Sequence, residues 1–185
     1  TSVSWLTLTH TAGASTATLA GTPANGDVGS HSVTVTVADA AGASDTETFT
    51  IVVANTNDAP TISSTAVTSA TEDAAYSYTT TASDVDSGDV VTLACTTVPS
   101  WLTCTAGALS GTPTNDEVGS HSVVITASDV AGATATDTFT ITVANTNDDP
   151  TGSVSITGTA QEDQVLGIAS LIADDDGLGT FSYQW

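Results

Sequence analysis

The sequence of 185 residues contains no lysine and no arginine but 21 acidic residues, so its formal net charge is −21 at pH 7. A protein without cationic side chains cannot neutralise the phosphates of a nucleic acid, and nothing draws it to an anionic membrane surface. We therefore expect no nucleic-acid partner. Catalysis that needs a lysine Schiff base, a P-loop lysine or an arginine clamp is excluded as well.

Long apolar runs are also missing, and aromatic residues make up only 5% of the chain. No stretch of about 18 apolar residues is present, so we expect no membrane insertion. Residues 1–5 lack the basic and apolar regions of a signal peptide, and none is expected there. However, 39% of the residues are hydrophobic and the mean hydropathy is +0.16, which is unlike an acidic disordered tail. A folded chain is therefore expected.

Threonine is abundant, at about one residue in five, and valine is frequent. Both residue types favour β-strands. No segment of about ten residues has a convincing helical period. The composition therefore predicts an all-β protein.

A long repeat organises this β-rich chain. Residues Gly21–Pro60 recur at Gly111–Pro150, an offset of 90 residues, with about two-thirds of the aligned positions identical. Val33, Val35 and Val37 alternate with polar residues, which is the period of a strand with one buried face. Short strands separated by Gly, Pro and Asp turns predict tandem seven-stranded Greek-key β-sandwiches arranged end to end.

The repeat divides the chain into three units. Residues 1–58 are predicted to be the later part of a repeat without its first strands, residues 59–148 a complete repeat, and residues 149–185 the early part of another. The expected early strands of the complete repeat are residues 62–67, 76–83 and 90–95.

The third unit has its own apolar pattern, which ends in an expected third strand at residues 181–185. Its core candidates are Val154, Ile156, Val165, Leu166, Ile168, Leu171 and Ile172. Neither partial unit can bury a two-sheet core alone. Two interpretations stay open: a window on a longer tandem protein, or head-to-tail completion of the first unit by the last strands of an identical chain, which would build a filament.

The two cysteines, Cys95 and Cys104, flank a turn at Pro99. A disulfide between them would close a small loop, which stabilises by roughly 2–3 kcal/mol on the chain-entropy description. It would also indicate an oxidising compartment. The alternative is a pair of reduced thiols on adjacent strands.

Acidic residues, seventeen Asp and four Glu, gather where the units are predicted to meet. The first boundary has Asp27, Asn57, Asp58, Asp84, Asp86 and Asp129. The second has Glu72, Asp116, Glu117, Asn147, Asp148, Asp149, Asp174, Asp175 and Asp176. Crowded carboxylates repel unless one is protonated or a cation binds, and Ca²⁺ takes about six to eight oxygen ligands. The sequence therefore favours Ca²⁺ sites, with solvated turn aspartates as the alternative.

Two other sequence features resemble functional sites but favour structural roles. Residues 84–89 resemble an EF-hand loop only superficially, because no helices flank them and no Glu stands at the twelfth position. His31 and His121 occupy equivalent turn positions in the two repeats, which favours a structural role over metal binding or catalysis.

Several motifs resemble the cadherin family. Residues 55–60 are similar to the linker between cadherin domains, residues 82–86 to the Asp-x-Asp motif that follows it, and residues 125–129 to a cadherin strand that ends in aspartate. Trp101-Leu102 followed by residues 109–113 is typical of dystroglycan-type cadherin-like repeats of large bacterial surface proteins. The resemblance implies cadherin/Ig-like domains.

Cadherins bind calcium between successive domains, so the resemblance also implies ligands. At the first boundary it implies the six residues given above. At the second boundary the implied ligands are Glu72, Glu117, Asn147, Asp148 and one or two of residues 174–176, of which Asp174 and Asp176 are preferred.

The resulting hypothesis is a non-enzymatic, calcium-rigidified stalk segment of an extracellular, cell-surface adhesin or secreted fibre. Its expected partners are neighbouring cadherin-like domains or identical subunits head to tail, and a surface glycan or protein is a further possible target. One alternative is a filament subunit that self-assembles by strand exchange. Another is a carbohydrate-binding or accessory module of a secreted enzyme.

Overall fold

The computed structural model describes residues 3–180, 182 and 184, and its regular structure is almost entirely β. The strands are β1 (Leu6–His10), β2 (Ala17–Gly21), β3 (Gly29–Ala38), β4 (Ser44–Val53), β5 (Thr61–Ile62), β6 (Ser69–Thr71), β7 (Tyr76–Thr79), β8 (Ala82–Ser83), β9 (Thr92–Thr97), β10 (Leu102–Thr105), β11 (Ala108–Gly111), β12 (Gly119–Ser128), β13 (Thr134–Ala144), β14 (Val154–Thr157) and β15 (Gly167–Ser170). Two single 3-10 turns lie at Asn25–Asp27 and Asn115–Glu117. Within the described part of the chain, no helix has the length and hydropathy needed to cross a bilayer.

The middle repeat is a two-sheet sandwich. One sheet has the order β10-β11-β7 and the other the order β6-β13-β12-β9. The β6–β13 pair is parallel and the other pairs in these sheets are antiparallel. Because neighbours within a sheet are often distant in sequence, the chain crosses repeatedly between the sheets, as in a Greek key. The predicted fold class is confirmed.

The core of this repeat comes from alternate residues of the long strands. Val123, Ile125 and Ala127 on β12 are each 0% exposed, whereas the intervening side chains are more accessible. Leu109 and Ile141 join the same cluster from β11 and β13. This is the period of two predicted from the sequence, with one face of each strand directed into the sandwich.

Two of the predicted early strands are divided, because the chain changes its pairing partner within them. Only Ile62 of residues 62–67 lies in a strand: β5 pairs with β8 in a small separate sheet, and the chain then continues to β6, which pairs with β13 in the four-stranded sheet. Residues 76–83 are likewise split between β7, which pairs with β11, and β8. The third expected strand, residues 90–95, lies two residues later, at β9.

The first unit consists of two hairpins, β1–β2 and β3–β4, around a small cluster of Val3, Leu6 and Val33. Val37 is 67% exposed, whereas Ala127, at the equivalent position of the middle repeat, is 0% exposed. In the middle repeat, β6 and β9 extend the sheet that contains β12, and β7 extends the opposing sheet. The first unit lacks counterparts of these three strands among the described residues, so the face of β3 near Val37 is less covered.

The third unit contains one hairpin, β14–β15, extended by a bridge between Thr151 and Ala173. The prediction of a core here is wrong for most of its members: Ile156, Val165 and Leu171 are 75%, 89% and 79% exposed. A single hairpin has no opposing sheet against which to bury them. The remaining exposed candidates are Val154, Leu166 and Ile168, and Ile172 is partly buried. The strand expected at residues 181–185 lies largely outside the described residues.

Cys95 on β9 and Cys104 on β10 form a disulfide, with their Cα atoms 6.3 Å apart. Of the two alternatives that the sequence left open, the structure has the disulfide. Because β9 and β10 belong to different sheets, the bond crosslinks the two layers of the sandwich at the edge of the core.

Candidate metal centres at the repeat boundaries

At the second boundary, three segments bring carboxylates together. Glu72 follows β6, Asp148 lies in the linker after β13, and Asp176 follows β15 in the third unit. One carboxylate oxygen from each lies within 4.8 Å of those of the other two. These three residues belong to the larger set that the sequence predicted for this boundary, and Asp148 and Asp176 lie 76 and 104 positions after Glu72 in the sequence.

Backbone and amide groups orient these carboxylates. The amide N–H of Thr146 donates to Glu72 Oε1 at 2.5 Å, and the amide N–H of Asp148 donates to Asp176 Oδ2 at 2.6 Å. Asn145 Nδ2 donates to Asp176 Oδ1 at 2.7 Å. The linker therefore contacts both the repeat before it and the unit after it.

Glu72 is 2% exposed, and its second oxygen, Oε2, is buried without a hydrogen-bond partner among the described residues. A buried carboxylate oxygen without a donor is costly, and this sequence has no lysine or arginine to offset it. The oxygen is thus available to a cation.

The first boundary contains a second acidic cluster, in the segment after β8. Carboxylate oxygens of Asp84, Asp86 and Asp89 lie within 4.8 Å of one another. The amide N–H of Asp58 in the linker donates to Asp86 Oδ2 at 2.8 Å, and that of Asp86 donates to Asp84 Oδ1 at 2.9 Å. Asp84 Oδ2 and Asp86 Oδ1 are buried and lack a partner within the described structure.

Asp89 was absent from the predicted ligand set. Its signal is present in the sequence, since it ends the same acidic turn that begins at Asp84. The turn places Asp89 beside its neighbours, because its amide N–H donates to the carbonyl oxygen of Asp86 at 3.1 Å.

Asn57 and Asp129 meet at the first boundary but form a separate contact. Asn57 Nδ2 donates to Asp129 Oδ2 at 2.7 Å, and Asp129 Oδ1 accepts from the amides of Gly132 and Ala133 at 2.6 and 2.7 Å. The Asn57 amide, followed by these backbone donors, lowers the pKa of Asp129 below its ordinary value. Asp129 therefore closes the β12–β13 turn and holds the linker to it.

Two predicted ligands, Asp27 and Glu117, instead cap their own 3-10 turns. The amide N–H of Ala24 donates to Asp27 Oδ2 at 2.9 Å. The amide and hydroxyl of Thr114 both donate to Glu117 Oε2 at 2.8 Å, and these bonds, the backbone one foremost, lower the pKa of Glu117. Neither residue belongs to the acidic clusters described above.

The remaining predicted residues lie at the edges of the second cluster. Asp174 Oδ1 accepts from the amide of Asp176 at 3.0 Å, and Asn147 Nδ2 donates to the carbonyl oxygen of Asp148 at 2.9 Å. Partial burial of Asp148, followed by the nearby negative charges of Asp73 and Asp176, raises the pKa of Asp148. Burial is the larger cause of this shift, and the neighbouring carboxylates add to it.

Sequence reasoning also missed two asparagines that reach across the boundaries. Asn25 Nδ2 donates to Asp58 Oδ2 at 2.7 Å, and Asn115 Nδ2 donates to the carbonyl oxygen of Asp175 at 2.5 Å. Both begin a 3-10 turn, and their equivalence at an offset of 90 residues was the available signal.

The sandwich and its acidic boundaries define a tandem array of Ig-like or cadherin-like domains. Comparison with known families matches residues 4–54 and 59–144 to the He_PIG family, described as a putative Ig domain. The chain belongs to this family. The finer prediction of dystroglycan-type repeats stays a prediction.

Bacterial adhesins are among its relatives. A "Serine-rich adhesin for platelets" of Staphylococcus aureus strain MSSA476 is 36% identical over 151 residues, which are 80% of this chain and 6% of the adhesin. The protein of the same description in strain MRSA252 is 36% identical over 149 residues, 80% of this chain and 10% of that protein. The chain thus spans a small part of these relatives. They are cell-surface proteins, and the extracellular localisation predicted from the sequence is confirmed.

Solved structures show the same fold. The extracellular cadherin domains 1–5 of protocadherin gamma B2 match 91% of this chain and 38% of their own, with 20% identity and a TM-score of 0.54. Domains EC1–4 of PcdhgB3 match 91% of this chain and 47% of theirs, with 18% identity and a TM-score of 0.53. At these identities the likeness establishes the fold alone.

Proposed function

We propose that the chain is a calcium-rigidified stalk segment of an extracellular surface adhesin. The observation that carries the proposal is the set of buried carboxylate oxygens without partners at both boundaries: Glu72 Oε2, Asp84 Oδ2 and Asp86 Oδ1. In a chain without lysine or arginine, a bound cation is the available way to compensate them.

The donor set fits calcium. Carboxylates, asparagine amides and backbone carbonyls are the ligands that calcium prefers, and its flexible coordination tolerates irregular loops better than that of magnesium does. Glu72, Asp148 and Asp176 would hold the ion at the second boundary. Asp84, Asp86 and Asp89 would hold it at the first. The bound ion would supply positive charge and several oxygen bonds at once.

The mechanical consequence follows from where the ligands originate. Glu72 belongs to the middle repeat, Asp148 to the linker and Asp176 to the next unit. Fixing all three to one ion would restrict rotation about the linker. A row of such boundaries would make a stiff stalk, which suits a surface protein that presents a distant binding region.

The test compares thermal unfolding in calcium with unfolding in excess EGTA. At about 10 mM calcium and a Kd of about 10⁻⁴–10⁻³ M, binding to the folded state adds roughly 1.4–2.7 kcal/mol per site. For a chain of this length, that raises the midpoint by about 3–10 °C. Magnesium at the same ionic strength separates site binding from screening.

Matched variants assign the effect to the site. Glu72→Gln should lose most of the calcium response of the second boundary. Glu47→Gln removes the same charge from an exposed position on β4 and should keep that response. Small-angle scattering should show a narrower distribution of maximum dimensions in calcium than in EGTA. Equal midpoints and equal dimensions in both buffers would exclude the proposal.

A second candidate is assembly of filaments by completion between chains. Exposed apolar side chains on β3 and β14, including Val37 at 67% and Ile156 at 75%, favour it, because these faces could pack against further strands. Light scattering coupled to size-exclusion chromatography tests this candidate. A single monomeric species over a wide concentration range would rule it out.

A further inference from the structure

Each repeat holds a histidine between a tryptophan and a 3-10 turn. The rings of Trp5 and His31 are 5.9 Å apart with an interplanar angle of 88°. Those of Trp101 and His121 are also 5.9 Å apart, with an angle of 78°. Because both repeats have the same edge-to-face contact, the Trp–His pair is a feature of the repeat.

The histidine also binds the turn. His31 Nε2 lies 2.5 Å from the carbonyl oxygen of Asp27, and His121 Nε2 lies 2.6 Å from that of Glu117. A carbonyl oxygen can only accept a hydrogen bond, so Nε2 carries the proton and donates it. Each bond joins a long central strand, β3 or β12, to the turn that precedes it.

Besides the histidine, each turn is supported by the carboxylate that caps it, Asp27 or Glu117. We call residues 25–27 and 115–117 the boundary turns. Each is a single 3-10 turn with no buried residue. In the second, the amides of Glu117 and Val118 donate to the carbonyls of Thr114 and Asn115 at 2.9 and 3.2 Å. One isolated turn is marginal by itself, so tertiary contacts decide whether it stays formed.

The first residue of each boundary turn reaches the next segment. Asn25 donates to the linker carboxylate of Asp58, and Asn115 donates to the backbone carbonyl of Asp175 in the third unit. Loss of a boundary turn would therefore release a contact that spans the boundary.

We propose that His31 and His121 are positioning residues for the repeat boundaries, because each holds its boundary turn where the asparagine can reach the following segment. Trp101 links this arrangement to the core, since its ring also packs edge-to-face on Tyr76 at 5.7 Å. The inference rests on the proposed function only for the importance of boundary stiffness. The contacts themselves involve no cation.

Hydrogen exchange of the full-length chain, measured by NMR in EGTA, tests the anchor. His121→Phe keeps the ring against Trp101 but removes the donor, whereas His121→Gln keeps an N–H near the position of Nε2. We expect the amides of Glu117 and Val118 to exchange about fivefold to tenfold faster in the Phe variant, the loss typical of one hydrogen bond. The Gln variant should remain near wild type.

His10→Phe is the matched control. His10 Nε2 also contacts a carbonyl oxygen, that of Ala14 at 3.2 Å, but in the β1–β2 hairpin. This variant should leave the exchange of the boundary-turn amides unchanged.

A second readout tests action across the boundary. Asn115→Ala should shift the amide resonances of residues 174–177, and His121→Phe should shift the same resonances. The double variant should add little, because both changes break one coupled contact. Additive shifts, or no shift from His121→Phe, would overturn the inference. Loss of the strand resonances in both His121 variants would also overturn it, since the histidine would then be a core residue.

Calcium titration of the same samples separates the two proposals. Wild-type protein that shows the coupling but binds no calcium would refute the calcium stalk and leave the positioning role intact. Normal calcium binding in wild type without coupling would refute the positioning role alone.

Discussion

The disulfide of the middle repeat allows a quantitative prediction. Cys95 and Cys104 are nine residues apart in sequence and join the two sheets. Reduction removes the crosslink while it keeps nearly every packing atom in place, so the change isolates the constraint on the unfolded chain. The chain-entropy relation for a loop of about ten residues gives roughly 2.7 kcal/mol at 25 °C.

This loss should be visible as a lower unfolding midpoint. For a chain of this length, it corresponds to a decrease of about 5–11 °C. The two bonded cysteines are partly buried against the core. Trp101 lies between them in sequence and packs on the same cluster. Tryptophan fluorescence during thermal unfolding, with and without a thiol reductant, is therefore a suitable assay.

The double variant Cys95→Ala/Cys104→Ala supplies the control. It should resemble the reduced wild type and should not respond to reductant. A decrease below about 1 kcal/mol on reduction would refute the loop-entropy reasoning, because it would mean that the denatured chain is already restrained there. A reductant response in the double variant would show that the effect lies elsewhere.

Three further perturbations have defined directions. Gly107→Ala should lower the free energy of unfolding by about 1–3 kcal/mol in denaturant titration, because φ is +78° and the new Cβ would lie 2.7 Å from Leu93 Cδ1. The control is Gly88→Ala, at φ +89° with no atom within 4 Å, which should lower the free energy of unfolding by less. Burial raises the pKa of Tyr76 to about 12, so phenolate absorbance should show one tyrosine that titrates later than the ordinary value of 10.0. The free energy of unfolding should fall as the pH rises from 10.0 to about 12, because the tyrosine ionises first in the unfolded chain. Tyr76→Phe should weaken that fall. Asp148→Asn should raise the midpoint in EGTA at neutral pH, because burial and then the neighbouring carboxylates raise the pKa of Asp148 and so disfavour its charge. It should also reduce the calcium-induced gain, and an unchanged gain would contradict the assignment of Asp148 as a ligand.

The sequence predicted the long strands well because their burial is local in pattern. On β13, Ile141 and Val143 alternate with threonines, and any sandwich must turn that apolar face inward. The short strands were less predictable. The segment from Thr61 to Thr71 forms two strands because its two ends pair with different partners, β8 and β13. Both partners lie later in the sequence, so the local pattern of residues does not predict the division.

The same distinction applies to the candidate site. Asp84, Asp86 and Asp148 are recognisable from motifs, since a motif gives the type of residue and its position along the chain. The alternative roles of Asp27 and Glu117 are not recognisable, because a carboxylate at the third position of a turn can cap that turn or reach a neighbouring cluster. Only the three-dimensional arrangement separates the two.

The carboxylates have two different roles, and these roles predict which property of the protein calcium removal should change. Asp27, Glu117 and Asp129 accept hydrogen bonds from their own turns, so these turns do not need a cation. Among the described residues, the buried carboxylate oxygens without a partner belong to Glu72 and to the Asp84–Asp89 turn, at the boundaries. The middle repeat should therefore keep its β-sheet circular dichroism at 25 °C in EGTA, while small-angle scattering reports a more flexible chain. Loss of sheet signal on chelation at that temperature would mean that the cation supports the sandwich itself, and the assignment of the buried boundary oxygens to a hinge-restricting role would be wrong.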